Sequence, residues 1–299
     1  MAPQKSLSPR AWAELFLLGL IWGGSFLSIR IALDEVPVVT SVWHRVFWAA
    51  LALWGVVLWR GLALPRNRRI WFAFLVMGLL NNVIPFGLMA WGQLTIESGL
   101  TSILNASTAV FGVMVAALAF ADERLTLWRG LGVTLGLAGV ILAIGPAALL
   151  TFDPRSAAQL AVLGGALSYA LAGVWARRHL AGLAPEIAAA GMLTASALVL
   201  TPAMLWIDGL PRLDLAPRTI GAITYYALIA TAGAYLLYYR VLAQAGSGNL
   251  LLVTLLIPPV AIVLGAQVLN EAMPPRAYAG FAILALGLLL LNRAPAKRN

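Results

Sequence analysis

The sequence predicts an all-α integral membrane protein with ten transmembrane helices, arranged as two inverted five-helix repeats. Three observations carry this expectation. Of 299 residues, 62% are hydrophobic and 10% charged, whereas a soluble domain carries about 25% charged residues. Ten apolar runs approach the roughly 20 residues needed to cross a bilayer. A shift of 148 residues lays the second half on the first, with Glu123 on Glu271, Gly132 on Gly280 and Gly139 on Gly287.

The first span covers 12–33. It is too long for the apolar core of a signal peptide and lacks a small-residue cleavage site, so it is expected to be retained. Glu14 falls in its first turn, within reach of water, and Arg30 near its far end. The second span, 38–59, carries His44 and Arg45 near its outer end. The third, 70–91, contains "LLNNVIPFGLMAW". Pro85 lacks an N–H and clashes with the carbonyl of Asn81, four residues earlier. An interruption is expected there, with Asn81 or Asn82 facing a wet cavity, because irregular backbone at membrane depth needs such partners.

The fourth span, 98–120, carries Asn105 and Ser107, and the fifth, 127–145, carries Gly132, Gly136 and Gly139. The sixth, 158–179, holds Ser168 and Tyr169 and ends in Arg177, Arg178 and His179. The seventh covers 184–206. The eighth, 218–240, holds Thr231, Gly233 and Tyr235; the ninth, 247–269, holds Pro258 and Pro259; the tenth covers 276–292. The halves divide into residues 1–148 and 149–299. Five spans is an odd number, so the second repeat enters the membrane upside down, an architecture recurrent in secondary transporters. At the same shift Pro85 falls on Gly233, and Pro258 and Pro259 fall near Val110 and Phe111; these are the expected helix breakers. A shift of 147 also lays Trp22 on Tyr169 and Arg30 on Arg177.

Topology follows from charge. Of 20 Lys and Arg, fourteen fall on the side of the N-terminus, four on the other side, and Arg30 and Arg45 within spans. The positive-inside rule then places both termini in the cytoplasm and the protein in the cell (inner) membrane. The net charge of +9 is scattered in short clusters with no basic stripe, so nucleic acid is not an expected partner.

No catalytic constellation emerges, and the chain is not expected to be an enzyme. There are no cysteines, and the two histidines lie in different halves, so no metal site is expected. No Gly-rich phosphate loop with a Lys appears, and no cofactor is expected. No charge falls at the centre of a span, which favours a neutral or zwitterionic substrate over a phosphorylated one and argues against a proton relay. Trp22, Ser25, Asn81, Asn82, Asn105, Ser107, Ser168, Tyr169, Thr231 and Tyr235 lie at mid-depth. Each could serve helix packing; as a set they suit an amphipathic ligand. Arg30, His44 and Arg45 are either carboxylate or gating contacts or anchors at the outer interface. The GxxxG pairs Gly19/Gly23 and Gly132/Gly136 favour packing within the bundle over a dimer, so a monomer or weak dimer is expected.

The stretch "AYLLYYRVLAQAGSGNLLLVTLLIPPVAIVLGAQVLNEAMPPRAYAGFAILALGLLLL" (Ala234–Leu291) resembles the second EamA repeat of the drug/metabolite transporter superfamily, most specifically in "LIPPVAIVLGAQVLNE". "GLIWGGSFLSIRIAL" (Gly19–Leu33), "WHRVFWAALAL" (Trp43–Leu53) and "FADERLTLWRGLGVTLGLAGVILA" (Phe120–Ala143) resemble parts of the first. The resemblance implies a ten-helix exporter of small metabolites, often amino acids. The alternative is a translocator of a lipid-linked or hydrophobic drug substrate, with a cavity open sideways to the bilayer.

Overall fold

The computed structural model describes residues 8–121, 126–145, 154–212, 214–250 and 253–291, and among them every regular element is helical. The elements are α1 (Pro9–Ala32), α2 (Val38–Trp59), α3 (Arg68–Gly78), α4 (Ile84–Gly92), α5 (Ser98–Asn105), α6 (Thr108–Ala119) and α7 (Leu127–Ile144). They continue with α8 (Pro154–His179), α9 (Pro185–Ile207), α10 (Pro217–Thr224), α11 (Ala234–Leu250), α12 (Val253–Leu269) and α13 (Pro275–Leu291). Short π-helical segments, Leu79–Val83 and Tyr225–Gly233, join α3 to α4 and α10 to α11. Among the described residues eight segments are long and apolar enough to cross a membrane, and α12 and α13 are shorter apolar helices.

Three expected spans are not plain α-helices. The third and eighth are interrupted by the π segments, at Asn81 and Asn82 in one and at Thr231 in the other. The fourth breaks at Ala106–Ser107, where Ser107 Oγ donates to the Leu104 carbonyl at 2.6 Å. A serine that bonds its local backbone in this way competes with the helical ladder. Conversely, α12 runs unbroken through Pro258 and Pro259, so neither is a breaker. Proline removes a donor, but its fixed φ is already helical. The α11 helix continues to Leu250, past the expected end at 240, and α12 starts at Val253 instead of 247.

Glycine sets the closest helix contacts. A β-carbon built on Gly139 would lie 2.6 Å from the Gly280 carbonyl oxygen, and one on Gly280 would lie 2.6 Å from the Gly139 oxygen. Gly132 and Gly287 repeat the reciprocity at 2.8 and 2.7 Å. Thus α7 and α13 pack backbone to backbone, the usual role of small residues between membrane helices. In the same way Gly19 and Gly23 of α1 meet Leu256 and Val260 of α12. Both GxxxG pairs are therefore used inside the bundle.

The α2–α9 pair is pinned at several levels. Trp54 Nε1 donates to Thr194 Oγ1 at 2.7 Å and Trp43 Nε1 to Thr201 Oγ1 at 2.9 Å. Asp208, just past α9, accepts from Thr40 N at 2.8 Å and Thr40 Oγ1 at 2.7 Å near the start of α2. At the opposite face Arg60 pairs with Glu186.

Other carboxylates also close helix ends. Glu271 accepts from Ser98 N and, at 2.6 Å, from Ser98 Oγ, capping α5 from the other half of the chain. A carboxylate is favoured there by the unpaired N–H groups of a helix N-terminus. Glu123, its expected counterpart, lies outside the described residues. Glu14 has less access to water than expected, with 9% of its side-chain surface exposed. It is buried between Arg10 and Arg240, at 3.2 and 3.1 Å, and accepts from Gln244 on α11.

Candidate functional site

The two π segments face each other's half of the chain. In the first, Ile84 N–H bonds the Leu79 carbonyl, five residues back. With that register the N–H missing from Pro85 would have served Leu80, not Asn81 as the α-helical spacing implied. Ser168 Oγ of α8 donates to that Leu80 carbonyl at 2.7 Å. In the second π segment, Trp22 Nε1 of α1 donates to the Ala230 carbonyl at 3.1 Å. Each segment thus has a carbonyl partnered by the first helix of the opposite repeat, as irregular backbone at membrane depth requires.

The amides divide between two tasks. Asn82 has no exposed surface, and its Nδ2 donates to Ser196 Oγ on α9 at 3.0 Å. Asn81 is half-buried, and its Nδ2 donates to Tyr235 Oη at 3.0 Å. Tyr235 Oη in turn donates to Asn82 Oδ1 at 3.3 Å. Asn81, Asn82, Ser196 and Tyr235 form one network spanning both halves.

Beside it lies a charge. Arg45 was expected near the outer end of its span, yet its guanidinium enters the bundle. Nε donates at 2.9 Å to Thr231 Oγ1, in the middle of the Pro217–Val241 span. Cζ stands 3.8 Å from the centroid of Phe86, whose ring meets Tyr169 edge-on at 6.4 Å. The expectation of no charge at mid-depth is therefore corrected. It judged depth from the backbone position, and an arginine places its charge well away from its Cα. Thr231 Oγ1 itself donates to the Tyr226 carbonyl at 2.7 Å, and Tyr226 Oη donates to Ser41 O on α2 at 3.1 Å. Arg45, Tyr169 and Tyr235 are half-buried and keep accessible surface.

The other expected residues do not join this cluster equally. Trp22 approaches Tyr238 at 5.8 Å between ring centroids. Ser25 is buried and donates to the Trp22 carbonyl of its own helix at 2.6 Å. Asn105 sits at the α5–α6 break with a buried Oδ1 that takes no hydrogen bond from the described residues. Gly233 closes the second π segment, and Pro85 follows the first. Arg30 pairs with Asp34 at 2.7 Å at the end of α1, away from this cluster. His44 Nδ1 accepts from Trp48 Nε1 at 3.1 Å, and His44 lines a recess with Thr40, Asp208 and Arg212. In the loop beside that recess, hydrogen bonds from Arg212 hold the Asp214 carboxyl below its ordinary range. Among the described residues no group of acidic or histidine side chains is placed to hold a metal ion.

Phe86, Ser196 and Tyr226 were missed by sequence reasoning, since apolar rings and lone hydroxyls are common in any span. For Arg45 a signal existed. Ser41 and Arg45 are four residues apart, which puts both on one helical face.

Comparison with known proteins agrees with this architecture. A "Probable terminal-alkyne amino-acid exporter" of Streptantibioticus cattleyicolor is 30% identical over 290 residues, covering 96% of this chain and 94% of its own. An "Uncharacterized inner membrane transporter YedA" of Escherichia coli is 25% identical over 285 residues, covering 94% and 90%. A solved crystal structure shares the fold with a TM-score of 0.68 at 17% identity, over 96% of this chain and 98% of that one. The sequence model of the EamA-like transporter family matches residues 11–145 and 156–293. With both halves matched, the chain belongs to the EamA-like transporter family and is a multi-pass membrane transporter of small molecules.

Proposed function

We propose that the protein is a secondary exporter of amino acids or similar small neutral or zwitterionic metabolites, working by alternating access in the cell (inner) membrane. In this reading it has ten spans in two inverted repeats, with both termini cytoplasmic. The observation that carries it is the crossed pair of hydrogen bonds, Ser168 to Leu80 and Trp22 to Ala230, each from one repeat to the π segment of the other. Paired helix interruptions at the repeat interface are where secondary transporters place substrate, and rocking one repeat against the other exposes that site to either side. The reciprocal Gly139–Gly280 and Gly132–Gly287 contacts are what an inverted two-fold relation would produce, and so support it. At 17 residues each, α12 and α13 meet the lower limit for a spanning helix.

The polar and aromatic groups around the interruptions match an amphipathic solute. Tyr169, Tyr235 and Trp22 would take its apolar body, and Asn81 and Arg45 its polar head. The name of the relative from Streptantibioticus cattleyicolor, a probable exporter of a terminal-alkyne amino acid, points to the same substrate class. Proteoliposomes loaded with a mixture of amino acids test the proposal. Selective release of a few amino acids is expected. Release of none, with movement of a lipid or hydrophobic dye instead, would favour a sideways-opening translocator.

A further inference from the structure

We propose that Arg45 is the receptor for a substrate carboxylate, so that the exporter selects molecules with one carboxylate and an apolar body. The proposal rests on the exporter reading above.

A guanidinium inside a membrane protein needs a counter-charge or a strong set of acceptors, because its desolvation is expensive. Among the described residues no carboxylate pairs with Arg45, and the ionisable side chains nearest to it are tyrosines 169, 226 and 235. The described acids are engaged elsewhere: Glu14 with Arg240, Asp34 with Arg30, Glu97 with Arg155, Glu186 with Arg60, Asp214 with Arg212, and Glu35, Asp208 and Glu271 with backbone N–H groups at helix starts. An arginine offers five N–H donors. Only Nε has a hydrogen-bond partner among the described residues, Thr231 Oγ1. The two terminal nitrogens are left free, on a side chain that retains accessible surface.

The free edge is also held in place. Phe86 lies under the guanidinium at 3.8 Å and Thr231 fixes Nε, so the planar group is oriented from its face and from one side. The unengaged edge then presents two parallel donors, the geometry that a carboxylate accepts bidentately. A phosphate dianion would need further positive charge. None is at hand among the described residues, since Arg30 is paired with Asp34 and His44 is turned to Trp48. One fixed positive charge against an aromatic wall fits a single carboxylate on an apolar body. The competing account is structural, with Arg45 serving only to hold Thr231 and the π segment.

The test uses proteoliposomes of the full chain loaded with the twenty amino acids and the C-terminal amide of each. An amide keeps the ammonium and the side chain but loses the α-carboxylate, so that apart from aspartate and glutamate it carries no carboxylate. Every amino acid that moves is expected to do so at least about tenfold faster than its amide, and Arg45→Gln to abolish that ratio while Arg45→Lys keeps part of it. Amino acids and amides moving equally through the unsubstituted protein would overturn the carboxylate site while leaving the exporter reading standing. Movement of neither would overturn both. If Arg45→Gln slows acid and amide alike and lowers the melting temperature, with the ratio intact, the structural account is correct and the proposal fails.

Discussion

Gly139 and Gly280 face each other with their main chains in contact, each occupying the space that a β-carbon on the other would need. The neighbour on either side is backbone, which cannot rotate out of the way as a flexible side chain could. Overpacking of this kind costs about 1–3 kcal/mol, occasionally more. Gly139→Leu and Gly280→Leu are therefore each expected to lower folded yield and melting temperature in detergent. Gly112→Leu, at a position with open space around it, is the control and should be near neutral. Equal behaviour of all three would show that the α7–α13 contact does not hold the halves together.

Much of this architecture was legible in the sequence. Each apolar run falls on a helix or helix pair, and the second span agrees to the residue with Val38–Trp59. The interruption at Asn81 and Asn82 was visible because two amides and a proline conflict with hydrocarbon. Its register was not. An α-helix would orphan the Asn81 carbonyl, whereas the π offset orphans Leu80, and only the structure shows Ser168 waiting there. The partners of Glu14 and of Arg45 were illegible for a related reason. Each depends on a contact across more than 180 residues of chain, Glu14 with Arg240 and Arg45 with Thr231, which no local spacing encodes.

Orientation is tested by fusion. A reporter placed after Asn299 should be cytoplasmic, following the fourteen-to-four distribution of Lys and Arg outside the spans. One inserted after Leu210, an exposed loop residue between α9 and α10, should lie on the opposite side. Both reporters on one side would remove the odd-parity inverted repeat.

Substrate flux should not require a transmembrane pH gradient. Among the described residues the acids lie at helix ends or in loops, and the cluster around Arg45 contains no carboxylate or histidine. A proton relay needs such a group deep in the membrane. Collapsing the gradient with an ionophore, with the substrate gradient intact, should leave flux within about twofold; if flux stops, coupling runs through a residue outside this cluster, with His44 the first to substitute.

The neighbouring asparagines should separate structure from transport. Adjacent residues in a helix point about 100° apart, and here Asn82 faces Ser196 while Asn81 faces Tyr235. Asn82 is wholly enclosed, so Asn82→Leu leaves Tyr235 Oη without its acceptor and Ser196 without its donor. Asn82 Oδ1 also accepts from Asn81 Nδ2 at 3.4 Å; a membrane hydrogen bond is worth roughly 0.6 kcal/mol on average, so three lost bonds should cost about 2 kcal/mol. The expected result is a lower melting temperature with substrate preference unchanged. Asn81 is half-buried and hydrogen-bonds Tyr235, which also keeps accessible surface. Asn81→Leu should fold with a smaller loss of melting temperature than Asn82→Leu, but release substrate at least about tenfold more slowly, or favour a more apolar one, because a leucine cannot hydrogen-bond a polar head group. Melting temperature and flux measured on the same preparations decide the matter. If Asn81→Leu transports normally, or fails only through misfolding, Asn81 is a packing residue and the site lies away from the first π segment.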